Sequence, residues 1–268
     1  MTKVRIGYTG ILAVFLWIAP IAVPAHAAAI ADEQASSAAG QNDSQIQTDI
    51  NKQLGKSRFQ GIQATVQNGV ITLSGTTSLY EYKQDADKKA HHVKNVVAVR
   101  NQIEVGGKEI SDQELGQALA EKLQYDRVGY GNVFNAIKVS VQNGVVTLGG
   151  SARTPMDKDS ALSLVSNYPG VKDVIDDIEV LPPSPMDDRI RLEVARAVYG
   201  YPTLNKYAID PAKPIRIAVD RGNVELYGVV DSQADKDTAF IRANGVPGVF
   251  KVTNNLVVAN QPTEKKKK

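Results

Sequence analysis

One block of this chain is written three times in register. Ile62 to Val105 recurs as Ile137 to Val180 and again as Ile215 to Val258, at offsets of 75 and then 78 residues, with no insertion or deletion inside it. Each copy opens on an alternating apolar run and a glycine turn: Ile62, Ala64, Val66, Gly69; Ile137, Val139, Val141, Gly144; Ile215, Ile217, Val219, Gly222. A second run closes on Gly75, Gly150 or Gly228. The same offsets then align Ala86, Ala161 and Ala239; Val96, Val171 and Val249; Ile103, Ile178 and Leu256. Self-similarity at a fixed period means one supersecondary unit reused, so function belongs to the unit and to what three copies achieve together.

The unit can be read element by element. Ahead of each block stands a helix with an i, i+4, i+8 apolar stripe: Ile46, Ile50 and Leu54; Leu115, Leu119 and Leu123; Ile190, Val194 and Val198. Ser111-Asp-Gln-Glu114 is a capping box, and Ser184-Pro185-Met186-Asp187 supplies an N-cap, a first-turn proline and an early carboxylate. Asn68-Gly69 and Asn143-Gly144 suit a two-residue hairpin turn with both centres at positive φ, whereas Arg221-Gly222-Asn223 predicts a turn displaced by a residue in copy three. A second helix follows, with Leu79, Tyr82, Ala86, Ala90 and Val93 as its inner face in copy one. The closing strand runs over Val96–Val105, Val171–Val180 and Val249–Val258.

The fold class is therefore α+β: three tandem α-β-β-α-β two-layer sandwiches, each with a three-stranded mixed sheet. A right-handed crossover through the second helix lays the last strand parallel to the second. A unit of about 60 residues without disulfides is marginal alone, so the copies are expected to lean on one another.

Composition divides the 268 residues further. Lys3 and Arg5, an apolar run from Ile11 to Ile18, and Ala25-His26-Ala27 have the form of a signal peptide over residues 1–27. This predicts export to the periplasm with cleavage near Ala27. A flexible Ala-, Ser- and Gln-rich linker follows over 28–43, then repeats over 44–105, 109–181 and 186–260, and a basic tail over 261–268. Gly106-Gly107 and the stiffer Pro182-Pro183-Ser184-Pro185 separate the repeats. Without Lys3 and Arg5 the chain holds 29 basic and 29 acidic residues, and it contains no cysteine for a disulfide or a lipid anchor. The neutral balance hides an asymmetry: residues 44–105 carry +3, 109–181 carry −5 and 186–260 carry +1.

The motifs resemble those of the BON family of small bacterial envelope domains. The resemblance rests on Gly69-Val-Ile-Thr-Leu-Ser-Gly75, Gly144-Val-Val-Thr-Leu-Gly-Gly150, Gly222 with Gly228, Pro169-Gly170-Val171 and Pro247-Gly248-Val249. Copy one departs from it with Lys94-Asn95-Val96 at the helix exit. The resemblance implies the α-β-β-α-β sandwich in a periplasmic, non-enzymatic protein, similar to osmotically inducible BON proteins, with phospholipid contact and an envelope-stress role. It carries over the fold and no binding residues, because the matching positions are turn glycines and core aliphatics.

Chemistry-bearing constellations are sparse. Once His26 leaves with the leader, His91 and His92 remain, adjacent on one helix and pointing apart, so neither a catalytic set nor a metal pair assembles. No enzyme activity, cofactor or metal is expected. Asp173, Asp176 and Asp177 read as solvated edge charges, and the turn glycines do not precede a helix as a phosphate loop requires. Gly245-Val-Pro-Gly248 has the spacing of an RNA-clamping GxxG loop, but export and neutral charge argue against nucleic acid.

The candidate lipid-binding surface is the second helix of copy one, with Tyr80, Lys83, Lys88, Lys89, His91, His92 and Lys94, joined by the tail Lys265, Lys266, Lys267 and Lys268. An anionic membrane attracts such groups by ~1 kcal/mol each, so the tail alone gives roughly millimolar binding and needs a second contact. The alternative partner is another envelope protein, contacted by the aromatic loops of copies two and three: Tyr125, Tyr130, Phe134, Tyr199, Tyr201 and Tyr207.

Overall fold

The apolar stripes bury as the periodicity requires. The computed structural model describes residues 42–107, 109–125, 132–210 and 213–259. Helix α1 spans residues 42–53, α3 Asp112–Tyr125 and α5 Pro185–Tyr199, each opening one module. All nine stripe residues from Ile46 to Val198 lie in the three module cores. The caps form as read: Ser111 Oγ accepts from the Glu114 N–H, and Ser184 Oγ from the Asp187 N–H, both at 3.2 Å.

Each hairpin pairs antiparallel: β1 (Ile62–Gln67) with β2 (Val70–Thr77), β5 (Ala136–Gln142) with β6 (Val145–Ala152), β8 (Arg216–Asp220) with β9 (Asn223–Val230). The second helices are α2 (Tyr80–His91), α4 (Pro155–Ser166) and α7 (Gln233–Asn244). They return the chain to the far edge of each sheet. There β3 (Ala98–Asn101) with β4 (Glu104–Val105), β7 (Asp173–Val180) and β10 (Lys251–Val258) pair parallel to the middle strand. The fold is three tandem α+β sandwiches with mixed sheets. Module 3 adds a short α6 (Lys206–Ile209).

The hairpin turn marks one end of each module, called the tip; the opposite end is the base. All three turns hold two residues at positive φ: Asn68 and Gly69, Asn143 and Gly144, Arg221 and Gly222. The displaced turn expected in copy three is thus not found. Arg221 stands where asparagine does in the other copies, at φ 47°, because a carboxylate holds the turn from below. Asp187 accepts from the Arg221 and Gly222 N–H groups at 3.0 and 2.9 Å. Asp43 does the same for Asn68 and Gly69 at 2.7 and 2.7 Å, and Asp112 for Asn143 and Gly144 at 2.7 and 2.9 Å. Charge-assisted bonds to both amides offset the left-handed strain.

The outer strands are protected by side chains. Asn101, Asp176 and Asn254, aligned by the repeat, each accept from the N–H two residues on: Ile103, Ile178 and Leu256, at 3.1, 3.1 and 3.2 Å. Each also fastens its strand to the second helix, through the Lys83 carbonyl, the Lys158 ammonium and the Lys236 carbonyl. The expected solvated edge charge Asp176 is an ion-pair and strand-capping residue, 2.7 Å from Lys158.

The modules meet by two different joints. Tyr80 of module 1 packs against the core of module 2, its hydroxyl hydrogen-bonded to Asp173. Val133 and Phe134, from the 3-10 turn Asn132–Phe134 inserted in copy two, pack against the core of module 3. Arg153 stacks over the Phe134 ring at 6.0 Å and pairs with Asp188 of α5 at 3.1 Å, while Lys138 lies 4.7 Å over the Tyr227 ring.

Candidate functional site

The basic helix of module 1 keeps most of its charges in solvent. Lys88, His91, His92 and Lys94 are exposed, and Lys83 and Lys89 half-buried. Both imidazoles turn back on their own helix, with Nδ1 at 3.0 Å from the Asp87 carbonyl and 2.6 Å from that of Lys88. Tyr80 is engaged elsewhere. Burial at the module joint, then the Asp173 carboxylate, push its hydroxyl pKa up to about 12. It is a packing residue between modules rather than part of an open face.

The aromatic loops are likewise used inside the molecule. Tyr207 does not stand on an open rim: it is 2% exposed, its hydroxyl donating to Asp235 at 2.8 Å and accepting from the Asp231 N–H at 2.7 Å. Tyr199 donates to the Ile215 carbonyl at 2.5 Å, and burial raises its pKa. Phe134 is wedged between modules. Tyr201 remains exposed, with Arg242 5.3 Å above its ring. Tyr125 closes α3, and Tyr130, residues 1–27 with the expected signal peptide, and Lys265 to Lys268 lie outside the described residues.

The structure places a different surface in view, at the tip of module 3. The Asp187 clamp fixes the β8–β9 turn against the start of α5. Gly222 leaves that turn without a Cβ, and the Phe250 ring lies over it; an added Cβ would sit 2.5 Å from Phe250 Cδ2. Phe250 is 81% exposed and Met186 51%. Between Phe250 and Met186 runs an apolar groove of about 290 Å³, floored by Ile190, Gly222 and Gly248. Arg221 lines the groove together with Asp187 and Asp220, and the exposed Arg189 brings a guanidinium nitrogen to 3.7 Å from the Met186 sulfur.

This surface was not read from the sequence, because Phe250 and Met186 look like core residues in an apolar pattern. A signal was present: the repeat puts Phe250 level with Val97 and Lys172. All three side chains rest on a turn glycine, so whatever stands there projects. Val97 is 77% exposed.

Among the described residues no group of three or more acidic or histidine side chains converges to hold a metal. No helix among them is long and apolar enough to cross a membrane.

Nine chains of known structure match this one. One is CdsD, a structural protein of the type III secretion system of Chlamydia trachomatis, at 17% identity over 79% of this chain and 91% of that one, with a TM-score of 0.23. The C-terminal domain of the same protein matches at 15% identity over 79% and 96%, with a TM-score of 0.22. No curated protein matches. The BON domain family model matches three times, over residues 42–107, 111–182 and 187–260, so the chain belongs to the BON family as three tandem BON domains.

Proposed function

We propose that this is an exported protein that associates reversibly with anionic phospholipid surfaces, in envelope maintenance under osmotic stress. The observation that carries the reading is Phe250, an aromatic ring 81% exposed on a groove lined by Arg221 and Met186, with Arg189 against Met186. An exposed aromatic side chain with guanidinium groups at the same groove suits the membrane boundary, where the ring enters the acyl region and the guanidinium groups remain at the headgroups. Burying Phe250 contributes about 2 kcal/mol, and Arg189 and Arg221 ~1 kcal/mol each, so the tip alone reaches roughly millimolar and needs a second contact. The basic end of α2, with Val97 beside it, acts as the second contact and adds avidity.

Co-sedimentation with vesicles tests this. Binding to phosphatidylglycerol-containing vesicles is expected, absent from purely zwitterionic ones and weakened by salt. Phe250→Ser and the pair Arg189→Glu with Arg221→Glu should each lower affinity by at least tenfold. Lys83→Glu with Lys88→Glu should lower it less. Unchanged binding in the Phe250 and arginine variants would remove module 3 from the site. Equal binding to zwitterionic vesicles would remove the electrostatic basis.

A further inference from the structure

The turns Asn68-Gly69 and Asn143-Gly144 carry a chemistry that Arg221-Gly222 lacks. An asparagine followed by glycine is open to attack from its own chain, because the glycine nitrogen is unhindered by a Cβ. That nitrogen bonds to the asparagine Cγ, the Cγ–Nδ2 bond breaks, and the glycine proton leaves with the amino group as ammonia. Water then opens the cyclic imide at either carbonyl, giving aspartate or its backbone-extended isomer. Asn68 and Asn143 are exposed, and neither side-chain amide has a hydrogen-bond partner among the described residues, so each Cγ is free to turn towards the following nitrogen.

The restraint lies on the nitrogen. Gly69 and Gly144 are buried, and their N–H groups donate to Oδ1 of Asp43 and of Asp112 at 2.7 and 2.9 Å. The other oxygen of each carboxylate accepts from the asparagine N–H, at 2.7 Å in both modules, and the asparagines stand at φ 52° and 54°. A carboxylate this close opposes loss of the glycine proton, since the amide anion would face a like charge. The paired bonds also hold the turn in one conformation, so attack waits for the clamp to open.

We propose that Asn68 and Asn143 are latent deamidation sites, each kept closed by the carboxylate clamp beneath it, and that conversion at either one unlocks its hairpin. The product sets a second negative charge on a turn whose amides already face a carboxylate. The isomer also adds a methylene between those two amides, so both no longer reach the same carboxylate. Module 3 is exempt, because Arg221 has no side-chain amide. Asn244-Gly245 is an internal reference: its glycine ends α7 and donates to the Ile241 carbonyl at 3.2 Å, with no carboxylate on the nitrogen. The inference stands independently of the lipid reading.

Incubation of the full chain at mildly alkaline pH, followed by peptide mass mapping, tests this. Asp43→Ala should speed amide-to-acid conversion at Asn68 by roughly tenfold or more, the opening gained when charge-assisted bonds are lost. It should leave Asn143 and Asn244 at the parent rate, and Asp112→Ala should speed Asn143 alone. Ile71→Val weakens the core of module 1 without touching the clamp, and should leave Asn68 near the parent rate. The converted protein, separated by charge, should exchange amide hydrogens faster over residues 67–70 with module 3 unchanged. Parent rates at Asn68 in Asp43→Ala, an Ile71→Val rate equal to that of Asp43→Ala, or unchanged exchange in the converted protein overturns the proposal.

Discussion

Asp187 in the first turn of α5 and Gly222 in the β8–β9 turn are joined by a 2.9 Å hydrogen bond that is buried from water. A second bond from the same carboxylate, to the Arg221 N–H at 3.0 Å, completes a clamp that ties helix to hairpin. Asp187→Ala leaves two amides without their acceptor, one of them buried. The expected loss is about 3 kcal/mol, the range for bonds to a charged partner. Asp43→Ala, at a more exposed clamp, should cost about half as much. Urea denaturation of the two alanine variants checks the order, and equal losses would show that burial of the clamp does not matter.

The glycine two residues before the end of each middle strand is a second fixed point. A Cβ at Gly150 would stand 2.1 Å from the Ala136 carbonyl oxygen, with φ at 90°, and one at Gly75 would stand 2.1 Å from that of Gly61. Gly150→Ala should therefore destabilise module 2 by upward of about 3 kcal/mol, from strain and displaced backbone together. A melting curve within a degree or two of the parent would contradict the close approach.

Phe134 couples two modules. Because its ring packs on the module 3 core although it belongs to copy two, Phe134→Ala should loosen β8 as well as its own loop. Truncating a half-buried phenylalanine is expected to cost about 1–2 kcal/mol, less than the full core value. Hydrogen exchange should rise in Arg216–Asp220 while module 1 is unchanged. Faster exchange confined to the Asn132–Phe134 turn would argue that the modules are energetically independent.

Alkaline pH should weaken the joint between modules 1 and 2. Burial and then Asp173 raise the Tyr80 pKa to about 12, and burial and then Glu225 raise that of Tyr227 to about 12. Below pH 10 both hydroxyls are protonated in folded and unfolded chains alike. Between about pH 10 and 12 the unfolded chain ionises first and binds fewer protons, so stability falls with rising pH. Tyr80→Phe should make that decline shallower, read as Tm against pH. An identical slope in the variant would exclude Tyr80 as a contributor.

Much of the architecture was legible in the residues, for a physical reason. Helix stripes, Asn-Gly turns and the positive-φ glycines act within a few residues, so the repeat exposes them three times over. Ile46, Leu115 and Ile190 are buried where their spacing puts them. The turn clamps escaped the same reading although Asp43, Asp112 and Asp187 are plain in the sequence. They lie 26, 32 and 35 residues before their glycines, since the intervening loops differ in length, so no fixed offset links them.

The amino-acid order by itself determined the unit, its number and its internal topology, because those follow from short-range periodicity and backbone preference. Only the tertiary structure decided what each surface faces. Tyr80 and Tyr207 became packing residues, Phe134 became a bridge between modules, and Phe250 was left standing in solvent. Which apolar side chain is covered depends on how neighbouring modules meet, and that contact joins residues too far apart in the chain for any local pattern to record.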